Sequence, residues 1–144
     1  MVRFRTITLR NSRIWIDEEG ILRCEGLPGS AHTKADAEET VDACWELSGH
    51  RRRLALVDVR RTRSVDREAR LHYGRTEAAR RCLAAAMLVS SPLSWALGNF
   101  FVGLHKPPYP IRLFTSEPEA LRWLQGLIVD AGEPAETEGQ ITLP

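Results

Sequence analysis

Two short apolar runs constrain this chain more than any other feature: Leu54-Ala55-Leu56-Val57-Asp58-Val59 and Ala84-Ala85-Ala86-Met87-Leu88-Val89. Neither carries the helical period, and each has the length and continuity of a strand covered on both faces. The chain between them is long enough for a crossover, which parallel pairing requires. A second helix-strand unit follows, so a central, mostly parallel sheet between helices is the architecture that buries both runs.

The flanking segments fit that frame. β-branched and aromatic residues alternate with arginines over residues 2–10, as in a strand with at least one wet face. Ile14-Trp15-Ile16 and Ile21-Leu22-Arg23-Cys24 flank the turn Asp17-Glu18-Glu19-Gly20 and read as a β-hairpin, which Leu27-Pro28-Gly29-Ser30 closes. Thr33 is the expected N-cap of a helix over residues 34–48, with Ala37, Val41, Cys44, Trp45 and Ser48 on one face and Gly49 as its stop. Ser64 or Asp66 is placed to cap a second helix through Tyr73, with a break at Gly74 before a further helical stretch over 76–83. Ser91-Pro92 opens a helix over 92–104, and Pro107-Pro108-Tyr109-Pro110 prevents its continuation. Ile111-Arg112-Leu113-Phe114 is a last strand, and Ser116-Glu117-Pro118-Glu119 has the capping-box pattern for a closing helix with Leu121, Leu124 and Ile128. The expected fold is thus a single α/β domain over residues 1–129, with an N-terminal hairpin and about four to five flanking helices. Residues 130–144, rich in Gly, Pro and Glu, are expected to form a flexible tail.

Composition narrows the function classes. No apolar run approaches the ~18 residues of a membrane span, and no apolar signal core follows the first arginines, so the expectation is a cytoplasmic protein with no membrane span. Cys24, Cys44 and Cys82 are widely spaced and form no metal-ligand pattern with the scattered histidines, so they read as reduced thiols and no metal or cofactor is expected. A net charge of +1 hides an asymmetry: nine acids against Arg23 and Lys34 leave −7 over residues 17–46, and eleven arginines against four acids leave +7 over 51–81. The basic stretch interleaves only Tyr73 as an aromatic, so it suits an acidic protein surface, or the acidic face of a second copy, better than nucleic acid. Asp58, inside an apolar strand, needs partners. The strand's carboxyl end, with bonds from the following loop or Arg60, would supply them.

At Leu56-Val57-Asp58-Val59-Arg60-Arg61-Thr62-Arg63-Ser64-Val65-Asp66-Arg67-Glu68-Ala69-Arg70 the chain resembles the STAS domain of anti-sigma-factor antagonists, the SpoIIAA-like proteins: a buried strand, a short loop, and an Asp opening the next helix. Ala86-Met87-Leu88-Val89-Ser90-Ser91-Pro92 and the strand-helix ending from Ile111 extend the likeness over residues 14–129. The resemblance implies a non-enzymatic regulatory or scaffolding module that binds another protein. In those antagonists the helix opens with Asp-Ser-Ser-Gly and a serine is phosphorylated. Asp66 matches the Asp, whereas Arg67, Glu68 and Ala69 stand in the remaining places, so the phosphoacceptor is missing. Ser64 would be a different site.

Two surfaces are therefore candidates for binding, and no residue is a candidate for catalysis. The first is the loop and helix over residues 60–75, where Arg63, Asp66, Arg67, Glu68, Arg70 and Tyr73 would meet a partner protein. The second is the helix over 92–104, whose apolar residues spread around more than one stripe. Either that helix is wholly buried, or Trp95, Phe100 and Phe101, with Tyr109, line a groove for a partner, a second copy, or a small ligand. The alternative function is accordingly a binder of a small apolar, lipid-like or anionic ligand.

Overall fold

The computed structural model describes residues 5–74, 81–90 and 109–131. Its elements are β1 (Thr6–Thr8), β2 (Ser12–Ile16), β3 (Leu22–Gly26), β4 (Ala31–His32), α1 (Lys34–Leu47), β5 (Arg53–Asp58), β6 (Ser64–Val65), α2 (Arg67–Tyr73), β7 (Cys82–Leu88), β8 (Ile111–Phe114) and α3 (Glu117–Ala131). Six strands form one sheet in the order β1-β2-β3-β5-β7-β8, antiparallel through β1, β2 and β3 and parallel from β3 to β8. The hairpin, the two buried central strands and the mostly parallel sheet agree with expectation.

Three departures stand out. Three helices flank the sheet among the described residues, fewer than the four to five expected. The helix expected over 92–104 lies outside the described residues, as does most of the stretch expected as helix over 76–83. Cys82 and Leu83, placed in that helix by their spacing, instead open β7, because pairing with Arg53 carries the ladder further back than the apolar run implied. α3 continues to Ala131, beyond the expected start of the tail, and residues 132–144 are outside the described set.

The two faces of the sheet are filled differently. On one, α3 sets Ala120 and Leu124 against Ile21, Leu54, Leu56, Ala84, Ala86 and Leu88, a closed core of large and small residues in alternation. Leu83 joins this face as the extra residue of a bulge where the β5–β7 register shifts. On the other face the buried cluster is smaller: Ala55, Ala85, Tyr109 and Ile111, flanked by Leu22, Cys82 and Met87. α1 and α2 pack against each other, and α1 also meets β2, where Ser12 Oγ and Thr40 Oγ1 lie 3.1 Å apart in a buried hydrogen bond.

Local chemistry fixes the ends of α1 and α2. Thr33 caps α1 with its hydroxyl while Asp36 reaches back to the Thr33 N–H at 2.9 Å, a complete capping box. Asp36 also accepts from Asn11 Nδ2 at 2.9 Å and pairs with Arg10 at 3.3 Å, which ties the helix start to the β1–β2 turn. Gly49 takes φ +69° just past the helix, the left-handed turn that lets the chain reverse into β5. Asp66 caps α2 by accepting the Ala69 N–H at 2.8 Å. A feature with no sequence signal completes the frame. β4 and β6 pair as a two-stranded parallel ladder, and Asp66 N–H donates to His32 O at 3.0 Å, so the starts of α1 and α2 are clamped side by side.

Burial alone would raise the Asp36 and Asp58 carboxyls, but their bonds to Thr33 and Asn11, and to Arg60, hold both below the ordinary Asp range. The stability they supply is therefore complete above the unfolded-state value near 3.9 and lost as pH falls through the lower folded-state values. Asp36→Ala is expected to cost about 1–2 kcal/mol at neutral pH by loss of the cap, and Asp36→Asn with Asp58→Asn to flatten the drop in Tm between about pH 5 and 2. Urea and thermal melts across that range check both.

Candidate functional site

The hollow face of the sheet holds a cavity of about 220 Å³. Its floor is the alternating set that β3, β5, β7 and β8 turn away from α3: Leu22 and Cys24, Ala55 and Val57, Ala85 and Met87, and Ile111. Its roof is Thr40, Val41, Cys44 and Trp45 of α1 with Arg70 and Tyr73 of α2. The space exists because short side chains face each other: alanines at the centre of β5 and β7, and Thr40 and Cys44 one helical turn apart on α1. Interiors fill to crystal-like density when the side chains allow it; the described side chains do not span the gap.

Burial acts on several titratable groups along this surface. Cys24 faces Cys44, and that neighbouring thiol, together with burial, drives the Cys24 thiol well above its ordinary value. Burial pushes Cys82 up to about 12, and its thiol donates to Ala84 O at 3.2 Å. All three cysteines are free, and the partial exposure they keep borders the cavity. Burial likewise raises the Tyr73 hydroxyl, which bonds to Thr40, and the Tyr109 hydroxyl. His32, 6% exposed, is lowered by burial against the opposing pull of Asp36, and shares a 2.9 Å hydrogen bond with Ser30 Oγ. Such a lining accommodates apolar matter and offers hydroxyl and thiol donors, with Cys24 and Cys82 kept from the thiolate form and Tyr73 and Tyr109 from the phenolate form at neutral pH.

Polar groups rim the two ends. At the carboxyl ends of the strands, Asp58 is bonded by Arg60 through Nε at 3.0 Å, Nη2 at 2.8 Å and the backbone N–H at 3.0 Å, the arrangement expected for an acid closing an apolar strand. Gly26 ends β3 there, and a side chain at that position would collide with Thr62 Oγ1. At the opposite end, Arg51, Arg53 and Arg81 line the cavity beside Trp45 and Ser48.

The residues expected to form one docking surface are divided by the fold. Arg63, Asp66, Arg67 and Glu68 are exposed around the start of α2. Arg70 is half-buried, donating to Val65 O at 2.6 Å, and together with Tyr73 it turns to the cavity instead. Tyr109 is 7% exposed and lies in the cavity wall, where a pocket was expected, whereas Trp95, Phe100 and Phe101 lie outside the described residues. Sequence reasoning missed Cys24, Cys44 and Cys82 as neighbours of one space. The available signal was register: Cys24 shares a face with Leu22, and Cys44 falls one turn after Thr40.

Residues 14–128 match the family model of a domain of unknown function, DUF7793. No curated protein matches the chain. Among solved structures, an uncharacterised protein of the DUF3478 family from Shewanella loihica PV-4, with a SpoIIAA-like fold, is similar with a TM-score of 0.52 at 18% identity, covering 85% of this chain and 92% of that one. This likeness establishes a SpoIIAA-like fold. A protein with unknown function from Arthrobacter sp. FB24 is 40% identical over 77% of this chain and 90% of its own, with a TM-score of 0.30.

Raised thiol pKa values should make Cys24 and Cys82 slow nucleophiles. Iodoacetamide near pH 7.5 is expected to modify Cys24 and Cys82 more than ~10-fold faster in denaturant than in the native protein, after correction with a model thiol. Equal rates by peptide mass spectrometry would contradict the neutral lining.

Proposed function

The chain belongs to the DUF7793 family of domains, and we propose that it is a non-enzymatic binding module that holds a small, largely apolar ligand between α1 and the sheet. The observation that carries this reading is the cavity itself, floored by Ala55 and Ala85 where a packed domain would place larger side chains. Ligand sites are concave, mostly apolar and furnished with few polar groups, and Thr40, Tyr73 and the arginine end supply those groups here. A binding role rather than a chemical one is supported by the neutral state of Cys24, Cys82, Tyr73 and Tyr109, since covalent catalysis needs an activated nucleophile.

The regulatory side of the proposal rests on α2. Arg63, Arg67 and Glu68 are exposed and make no side-chain hydrogen bond or ion pair among the described residues, while Arg70 and Tyr73 of the same helix line the cavity. A ligand touching Tyr73 therefore acts on the element that presents a charged surface to a partner protein. With Arg67 and Glu68 following the capping Asp66, recognition at this turn would use fixed charge rather than a phosphate.

Ala85→Leu fills the floor of the cavity. The neutral fluorophore N-phenyl-1-naphthylamine is expected to bind the wild-type chain saturably at 1:1 and to lose at least ~10-fold in affinity in Ala85→Leu, with Tm within a few degrees of wild type. Equal binding by both proteins would remove the site from this cavity. Saturable binding absent from the wild type would remove the ligand reading.

A further inference from the structure

We propose that the ligand is an amphiphile with a carboxylate head, a medium-chain acid whose head lies among Arg51, Arg53 and Arg81 and whose chain runs over Ala55 and Ala85 beneath α1. The inference deepens the binding function proposed above and rests on it. It comes from the polarity of the cavity along its length. β5 contributes Arg53, Ala55 and Val57 to the lining in that order, and Arg53 lies opposite Cys82 in register, next to Arg81. Arg51 enters from the link after α1. The slot is thus cationic at one end and apolar through its body.

Among the described residues, the cationic end is short of anions. Arg53, half-buried, donates to Ser48 O at 3.3 Å and Gly20 O at 3.5 Å, both carbonyls, so its charge meets dipoles and no carboxylate among the described residues. Arg51 is exposed and makes no ion pair there. Arg81 lies over the Trp45 ring at 5.0 Å and stands 3.8 Å from Asp42, whose side chain is 80% exposed. Glu46, the other acid of the last turns of α1, is bonded to His50 at 2.9 Å. The α1 carboxyl terminus contributes roughly half a negative charge, which among the described residues leaves three guanidiniums facing one loosely held acid. A carboxylate accepting paired N–H bonds is the group that matches a guanidinium fork.

The other end of the slot does not compete for that head. Asp58 is already neutralised by Arg60, the cation there, Arg70, is engaged with Val65 O at 2.6 Å, and His32 is bonded to Ser30. A single orientation follows, with the acid at the Arg53 end and the methyl end toward Val57 and Met87. A volume of about 220 Å³ lies below the ~300–1,000 Å³ of sites for drug-sized molecules, so a chain of medium length is the fit.

Competition with N-phenyl-1-naphthylamine on the full chain tests this with decanoate and decanol, below their micellar concentrations. Decanoate is expected to bind at least ~10-fold more tightly than decanol, to weaken with added salt while decanol does not, and to tighten about fourfold per added methylene from hexanoate to decanoate. Arg51→Gln, at an exposed position, should reduce the preference for decanoate about threefold or more and leave decanol and Tm unchanged. Decanol binding as tightly as decanoate would overturn the head-group inference and leave the cavity reading intact. Failure of both compounds, together with no saturable fluorophore binding, would overturn the cavity reading as well.

Discussion

The fold depends on β5 being satisfied on every side at once. Its backbone is laddered to β3 on one edge and β7 on the other, so Leu54 to Leu56 sit out of reach of water and can only be apolar. A strand so enclosed needs a cover on each face, and the chain provides two unlike covers. α3 closes its side with Leu124 and Ala120 against Leu54, Leu56 and Leu88. α1 and α2 roof the other side, where β5 and β7 present the small side chains of Ala55 and Ala85 next to Val57 and Met87.

The same asymmetry sets a filled face against a hollow one. The α3 face has the alternation of bulk that fills space, and its rim is pinned by Arg23, which reaches Glu117 at 2.9 Å and Asp17 at 3.4 Å. The α1/α2 face is held mainly from its edges: the Asp36 cluster and the β4–β6 ladder at one end, Ser12 with Thr40 along one side. Roof and floor can then stand apart without the helices drifting, since their starts are tied to each other and to the hairpin. Holding a roof by its rim is what allows the described side chains to leave the middle open.

Much of this frame was legible in the residues. Thr33 with Asp36, Asp66 before α2, the Asp58–Arg60 pairing and the hairpin around Gly20 are local, and local chemistry is what sequence displays. β4 and β6 were not legible, because a two-residue strand has no period and its partner lies beyond α1 and β5. The start of β7 was misplaced for a related reason: Cys82 and Leu83 prolong the strand only because Arg53 is there to pair with. The site was the least legible part. Cys24, Cys44 and Cys82 lie on three elements, and Tyr73 seemed a companion of Arg63 and Arg67 in the chain, although the turn of α2 sends it inward. A void is made by what is absent between distant residues, and no single position announces it.

The hollow under α1 also has a mechanical consequence. Unfolding lets solvent occupy space that the described side chains leave unfilled, so the system volume shrinks, and compression favours whichever state wastes less of it. Hydrostatic pressure should therefore loosen the α1/α2 side before the α3 side, and a molecule seated in the hollow would act as an incompressible strut. In that sense the two faces of this sheet differ in stiffness as much as in chemistry.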